Sequence, residues 1–127
     1  MQIQDGTTPI FLQIRTGIED AILSGAFPED SQIPSITEFS VTYKINPATA
    51  LKGINLLVEE GIVYKKRGLG MFVATGAVQK LQQKHKEQFF ETYVAGLIEE
   101  AKKLRITEDE IKSMIESGYR DDGHNHP

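Results

Sequence analysis

The sequence predicts a mainly helical protein carrying one small β-hairpin. Three observations lead there. Before residue 62, apolar residues recur at three- and four-residue spacing in three separate segments. The pattern then changes to two brief strands around a glycine-rich turn, and the last fifty residues return to helical spacing. Three helices followed by a hairpin is the chain order of a winged helix-turn-helix. The two closing helices fit an antiparallel helical hairpin that mediates dimerisation. The expected division is 1–76 for the winged helix-turn-helix, 77–118 for the two-helix region, and 119–127 for a disordered tail.

The first helix is expected over residues 8–24. Ile10, Phe11, Ile14, Ile18, Ala21 and Ile22 make one apolar face, Thr8 is suited to the N-cap, and Pro9 fits the first helical position. Gly25 suits the left-handed residue that ends a helix. Residues 26–34 carry two prolines and no helical period, with room for a short extended stretch at Gln32-Ile33. Ser35-Ile36-Thr37-Glu38 then reads as a capping box opening a short helix that ends near Lys44. Asn46 and Pro47 start the next helix almost at once, and its apolar face is Ala50, Ile54, Leu57 and Val58, closed by Gly61. Two helices joined by about three residues have helix-turn-helix spacing.

Residues 62–66 and 71–74 read as strands, with Arg67-Gly68-Leu69-Gly70 as the hairpin loop between them. From 77 to 104 the chain contains no proline and one interior glycine, Gly96, so a single long helix is expected. Its first half, 80–88, is polar nearly all round and reads as a spacer. In its second half, Phe90, Val94, Leu97, Ala101 and Leu104 form a seam, flanked by Phe89, Tyr93 and Ile98. Thr107 to Glu110 is a second capping box, and Ile106 with Ile111 occupies the positions of a hydrophobic staple. Ile111, Met114 and Ile115 share a face of the last helix, expected to end at Gly118. Two helices this short do not stabilise each other alone. The seam and the Ile111–Met114–Ile115 face are therefore expected to form a homodimer interface.

Composition narrows the function classes. The 127 residues are 39% apolar and 25% charged, which suffices for a modest core. With no cysteine there is no disulfide scaffold, thiolate nucleophile or zinc finger. The first residues have no signal-peptide pattern and no stretch suits a membrane span, so a cytoplasmic protein without membrane partner is expected. Neither a phosphate-binding glycine loop nor a nucleophile elbow is present, so no enzyme and no cofactor are expected. Glu108-Asp109-Glu110 is explained by the dipole of the helix it opens. His124 and His126 have no third ligand at regular spacing and His85 reads as a surface residue of the spacer, so no metal site is expected.

Net charge is −4, against the basic balance of a protein that grips nucleic acid non-specifically. Residues 1–76 hold six basic and eight acidic side chains, and 77–127 hold eight and ten. Five of the first six are Lys44, Lys52, Lys65, Lys66 and Arg67, and Arg15 on the first helix is the sixth. A local basic stripe on an acidic protein is therefore the form DNA binding has to take.

An ordered set of motifs resembles the DNA-binding domain of the GntR transcription regulators. It comprises Pro9-Ile10-Phe11 with Gln13-Ile14, Ile22-Leu23-Ser24-Gly25, Ile33-Pro34-Ser35, Asn46-Pro47-Ala48-Thr49, Leu57-Val58-Glu59-Glu60-Gly61-Ile62-Val63 and Arg67-Gly68-Leu69-Gly70-Met71-Phe72-Val73. The Asn-Pro turn and the two-helix tail resemble the YtrA-type subfamily. The resemblance implies a homodimeric repressor bound to a palindromic operator in double-stranded DNA. Several positions depart from the family pattern. Thr37 stands where arginine is usual, Lys44 where glycine is common, Gly53 for alanine and Met71 for threonine. Ala50, Leu51 and Lys52 replace valine followed by one or two basic residues.

In a helix-turn-helix, the start of the second helix enters the major groove. Asn46, Ala48, Thr49 and Lys52 occupy that place, with Lys52 suited to guanine or phosphate and Thr49 to phosphate or a thymine methyl. Ser35 combines its capping role with a helix N-terminus suited to phosphate, and Thr37 and Lys44 lie nearby in sequence. Lys65, Lys66, Arg67 and Gly68 form the wing, suited to phosphate or minor-groove contact. As an isolated hairpin these lysines would merely guard a strand edge. An aromatic pocket in the tail also leaves room for a small hydrophobic effector. The rival readings are an effector-gated switch and a winged-helix module that binds protein.

Overall fold

The computed structural model describes residues 1–4 and 6–121. The chain forms two compact units, Met1–His85 and Lys86–Pro127.

The first unit is built on three helices, α1 (Ile10–Ser24), α2 (Ile36–Tyr43) and α3 (Pro47–Glu59). Pro9 is the N-cap of α1 rather than its first residue, since its ψ of 144° is extended. No side chain caps that end; the Gln13 carboxamide instead donates to the Thr8 carbonyl at 3.0 Å. Gly25, at φ 88°, closes α1 as expected. The Ser35 capping box forms in full: the Glu38 N–H donates to Ser35 Oγ and the Ser35 N–H to Glu38 Oε1, each at 3.0 Å. Lys44 ends α2 in the left-handed region at φ 55°, a conformation that favours glycine. Asn46 Oδ1 accepts from the Ala48 N–H at 2.8 Å and starts α3. Gly61 closes α3: its N–H donates to Val58, and that of Ile62 to Leu57.

Strands β1 (Val63–Lys66) and β2 (Gly70–Val73) pair antiparallel, with Val63 opposite Val73 and Lys65 opposite Met71. The Gln32-Ile33 stretch adds a third, very short edge. Gln32 bridges Phe72, and the Ile33 N–H donates to the Met71 carbonyl at 2.9 Å. The core gathers Ile14, Ile18 and Ile22 of α1, Phe39 of α2, Ala50, Ile54 and Leu57 of α3, and Val63 and Val73 of the hairpin. Gly53 is buried where α3 crosses α1. A Cβ at this position would lie 2.6 Å from the Phe11 carbonyl oxygen and 3.1 Å from Ile14 Cβ. The glycine that weakens α3 by propensity thus lets the two helices touch.

Helix α4 (Ala77–Phe89) begins within this unit. The Gly76 and Val78 N–H groups donate to the Glu29 carboxylate at 2.8 and 3.0 Å. The first turns are not the free polar spacer that the sequence suggests, because Ala77 and Leu81 are fully buried in the winged-helix core. Lys84 reinforces this docking: its ammonium donates to Glu19 of α1 at 2.8 Å and to Glu60, after α3, at 2.9 Å. His85 Nε2 lies 3.4 Å from the other Glu19 oxygen. Glu19 is buried, so these partners offset its desolvation. Burial opposes the Lys84 charge, but the hydrogen bonds it donates to Glu19 and Glu60 and their negative charge outweigh it and raise the lysine above its ordinary value.

In the second unit the helical path continues through one π-turn, Phe90–Val94, into α5 (Ala95–Lys103), and α6 (Glu108–Arg120) follows. The Ala95 N–H donates to Phe90, the i to i+5 bond of the π-turn. Arg105 ends α5 at φ 58°, with its N–H donating to Lys102 and that of Ile106 to Ala101. The Thr107 capping box forms as the sequence predicts. Hydrogen bonds from the Thr107 N–H and hydroxyl hold Glu110 below the usual carboxylate range. The last helix continues through Gly118 to Arg120, so Tyr119 and Arg120 belong to α6 rather than to a disordered tail. Residues 122–127, with His124 and His126, lie outside the described residues.

Candidate nucleic-acid interface

Burial of Ala50, Gly53, Ile54 and Leu57 orients α3 and leaves the opposite face exposed. Over its first turns that face carries Ala48, Leu51 and Lys52, with Asn55 one turn beyond Leu51. Thr49 is half-buried at the side. The Lys52 ammonium lies 4.0 Å from the Phe11 ring centroid, a cation–π contact that draws it toward α1. Asn46 and Ser35 are exposed, but their side-chain oxygens already accept capping bonds. Thr37, in the first turn of α2, and Lys44, in the turn, are both exposed.

The wing turn is closed by the Leu69 N–H donating to Lys66 at 2.9 Å, with Gly68 at φ 79°. Gln32 Nε2 donates to the Leu69 carbonyl at 2.7 Å and ties the tip to the third strand. Gly70 is required by its φ of 127°; a Cβ there would also press on the flexible end of Gln32, 2.5 Å from Nε2. The run of basic residues does not make one patch. Lys65 shares the Met71 face of the hairpin, whereas Lys66 lies on the other, 4.7 Å from the Phe72 ring and 5.9 Å from Tyr64. Arg67 and Gly68 are exposed at the tip.

Leu51 and Asn55, which the sequence reading did not place among the candidate DNA-facing residues, are also exposed, and their i, i+4 spacing away from Ala50 and Ile54 signals it. Nothing in the sequence signals the Gln32 brace. Among the described residues, no group of three His, Cys, Asp or Glu is arranged to hold a metal, and no helix is long and apolar enough to cross a membrane.

The second unit presents a different surface. Among its described residues only Ala101 is buried; Phe89, Phe90, Tyr93, Leu97, Ile98, Leu104, Met114 and Ile115 are exposed, and Val94 and Ile111 are half-buried. Phe89 and Tyr93 pack with ring centroids 5.3 Å apart. Between α5 and α6 lies an open groove of about 410 Å³, lined by Val94, Leu97, Ile98, Ala101, Ile111 and Ile115 and edged by Lys102 and Lys112.

The three-helix core, the short helix-turn-helix link and the braced hairpin define a winged helix-turn-helix protein. The family model for bacterial regulatory proteins of the gntR family matches residues 11–73, which span α1 through β2. A crystal structure described as a GntR-family transcriptional regulator from Bacteroides thetaiotaomicron is 34% identical. It covers 87% of this chain and 96% of its own, with a TM-score of 0.72. The chain belongs to the GntR family. The HTH-type transcriptional regulator YhcF of Bacillus subtilis is 28% identical over 87% of this chain and 93% of its own length. The DNA-binding domain of AraR in complex with operator ORX1 is 28% identical, covering 58% of this chain and 95% of that one, with a TM-score of 0.56.

Proposed function

We propose that the protein is a homodimeric, sequence-specific repressor of transcription. It is non-enzymatic and cytoplasmic, is of the YtrA type, and acts on a two-fold symmetric operator. The observation that carries this reading is the exposed N-terminal half of α3 beside a braced wing whose tip offers Arg67 and Gly68. Ser35, Thr37, Lys44, Asn46, Ala48, Thr49, Lys52, Lys65 and Lys66 complete the DNA-facing set. The similar AraR domain is itself held on an operator. The second unit supports the dimer. It exposes Phe89, Phe90, Tyr93, Leu97, Ile98, Leu104, Met114 and Ile115, a clustered set of large apolar side chains that a C2 partner would cover with the same face.

The test measures DNA affinity by fluorescence anisotropy and mass by sedimentation. Lys52→Ala and Arg67→Ala lose DNA affinity while the dimer persists. Unchanged DNA affinity in both variants contradicts the reading and favours a protein-binding winged helix. The groove between α5 and α6 favours a second element, a small hydrophobic effector, since its volume lies within the range of ligand sites. Such a ligand would change operator affinity without touching α3.

A further inference from the structure

We propose that α3 reads A·T base pairs, with Leu51 packing on a thymine methyl and Asn55 pairing with adenine. The inference rests on the DNA-binding reading above and supplies its sequence preference. Leu51 is 39% exposed on the side of α3 turned away from the core, next to Ala48. Over a third of this bulky aliphatic side chain faces water, beside the start of the helix that enters the groove. Lys52, the one cation on this face, leans over the Phe11 ring. No arginine, glutamine or carboxylate stands on the exposed first turns of α3. Beside Thr49 and Lys52, the surface that α3 offers to the bases is two aliphatic groups and one carboxamide.

The chemistry of the major groove matches that set closely. The thymine C5-methyl is its only apolar group, and the adenine N6/N7 pair is the donor–acceptor couple that a carboxamide satisfies with two hydrogen bonds. Leu51 and Asn55 are four residues apart, one above the other on the same face. They meet the same or neighbouring base pairs. Guanine, whose major-groove edge offers acceptors only, has no dedicated donor here once Lys52 is drawn aside.

The test uses the full chain and duplexes enriched by it from a random-sequence pool. Each half-site thymine is replaced in turn by deoxyuridine, which removes only the methyl group. At one thymine per half-site, affinity falls about fourfold for each methyl lost, the effect of exposing one buried methyl-sized group. Leu51→Ala, folded by circular dichroism, binds the thymine duplex more weakly and no longer distinguishes it from the uridine duplex. Asn55→Ala relaxes selection for adenine. Indifference of the native protein to every uridine substitution overturns the inference and leaves the DNA-binding reading intact. So does a Leu51→Ala variant that still discriminates. Failure to enrich any duplex overturns both.

Discussion

Gly53→Ala tests the packing of the winged helix most sharply, because two effects of known size oppose each other there. In a helix interior, alanine is favoured over glycine by about 1 kcal/mol. At this position, however, the added Cβ would lie 2.6 Å from the Phe11 carbonyl oxygen and 3.1 Å from two carbons of Ile14. The obstructing atom is backbone of α1, so the helices must separate, and such overpacking costs about 1–3 kcal/mol. The net expectation is a loss of about 1 kcal/mol, seen as a drop of roughly 4 °C in thermal midpoint at fixed protein concentration. Gly96→Ala is the control. Gly96 lies in α5, where an added Cβ would meet nothing within 4 Å, so the propensity gain of about 1 kcal/mol stands alone and the midpoint rises. Equal stabilisation by both substitutions, followed by circular dichroism, would refute the close approach of α1 and α3.

Four further outcomes are expected. Lys84→Met leaves the buried Glu19 carboxylate with His85 alone and costs about 1–3 kcal/mol in urea unfolding; adding Glu19→Gln recovers part of that loss, and an additive double variant would deny the coupling. Because Lys84 is raised above its ordinary 10.5, its contribution to stability is complete below that pH and disappears as pH climbs through the higher folded value, which alkaline unfolding curves measure. Leu97→Asp, with Val94→Asp as a second variant, gives a monomer by sedimentation, and a surviving dimer removes this face from the interface. Arg67→Ala flattens the salt dependence of DNA binding by about 1.8 in log–log slope, one phosphate contact from each protomer of the dimer, whereas an unchanged slope takes the wing off the backbone.

Much of the fold was legible because its signals are local. The Ser35 and Thr107 capping boxes, Gly25 and Gly61 at helix ends, and the glycines of the wing each satisfy a backbone group within a few residues. What escaped depends on contacts distant in sequence. Leu81 looked like a lone apolar residue in a polar spacer, yet with Ala77 it completes the winged-helix core. Glu19 and Lys84 are paired by the fold across 65 residues. Gly53 reads as a weakness until α1 is laid against it. Residue type alone selects Lys52 and the wing as candidates for an interface. It does not show that Lys52 leans over Phe11 or that Lys65 and Lys66 face opposite ways. The exposure of the apolar Leu51 on the same helix is equally invisible to residue type.

The central claim is that two copies of this chain together read one DNA site. Selection of duplexes from a random-sequence pool at near-physiological salt tests it directly. The expected product is an inverted repeat with a fixed spacing between half-sites, bound by a dimer. A folded, dimeric protein that enriches no sequence, with or without candidate hydrophobic effectors, would contradict it.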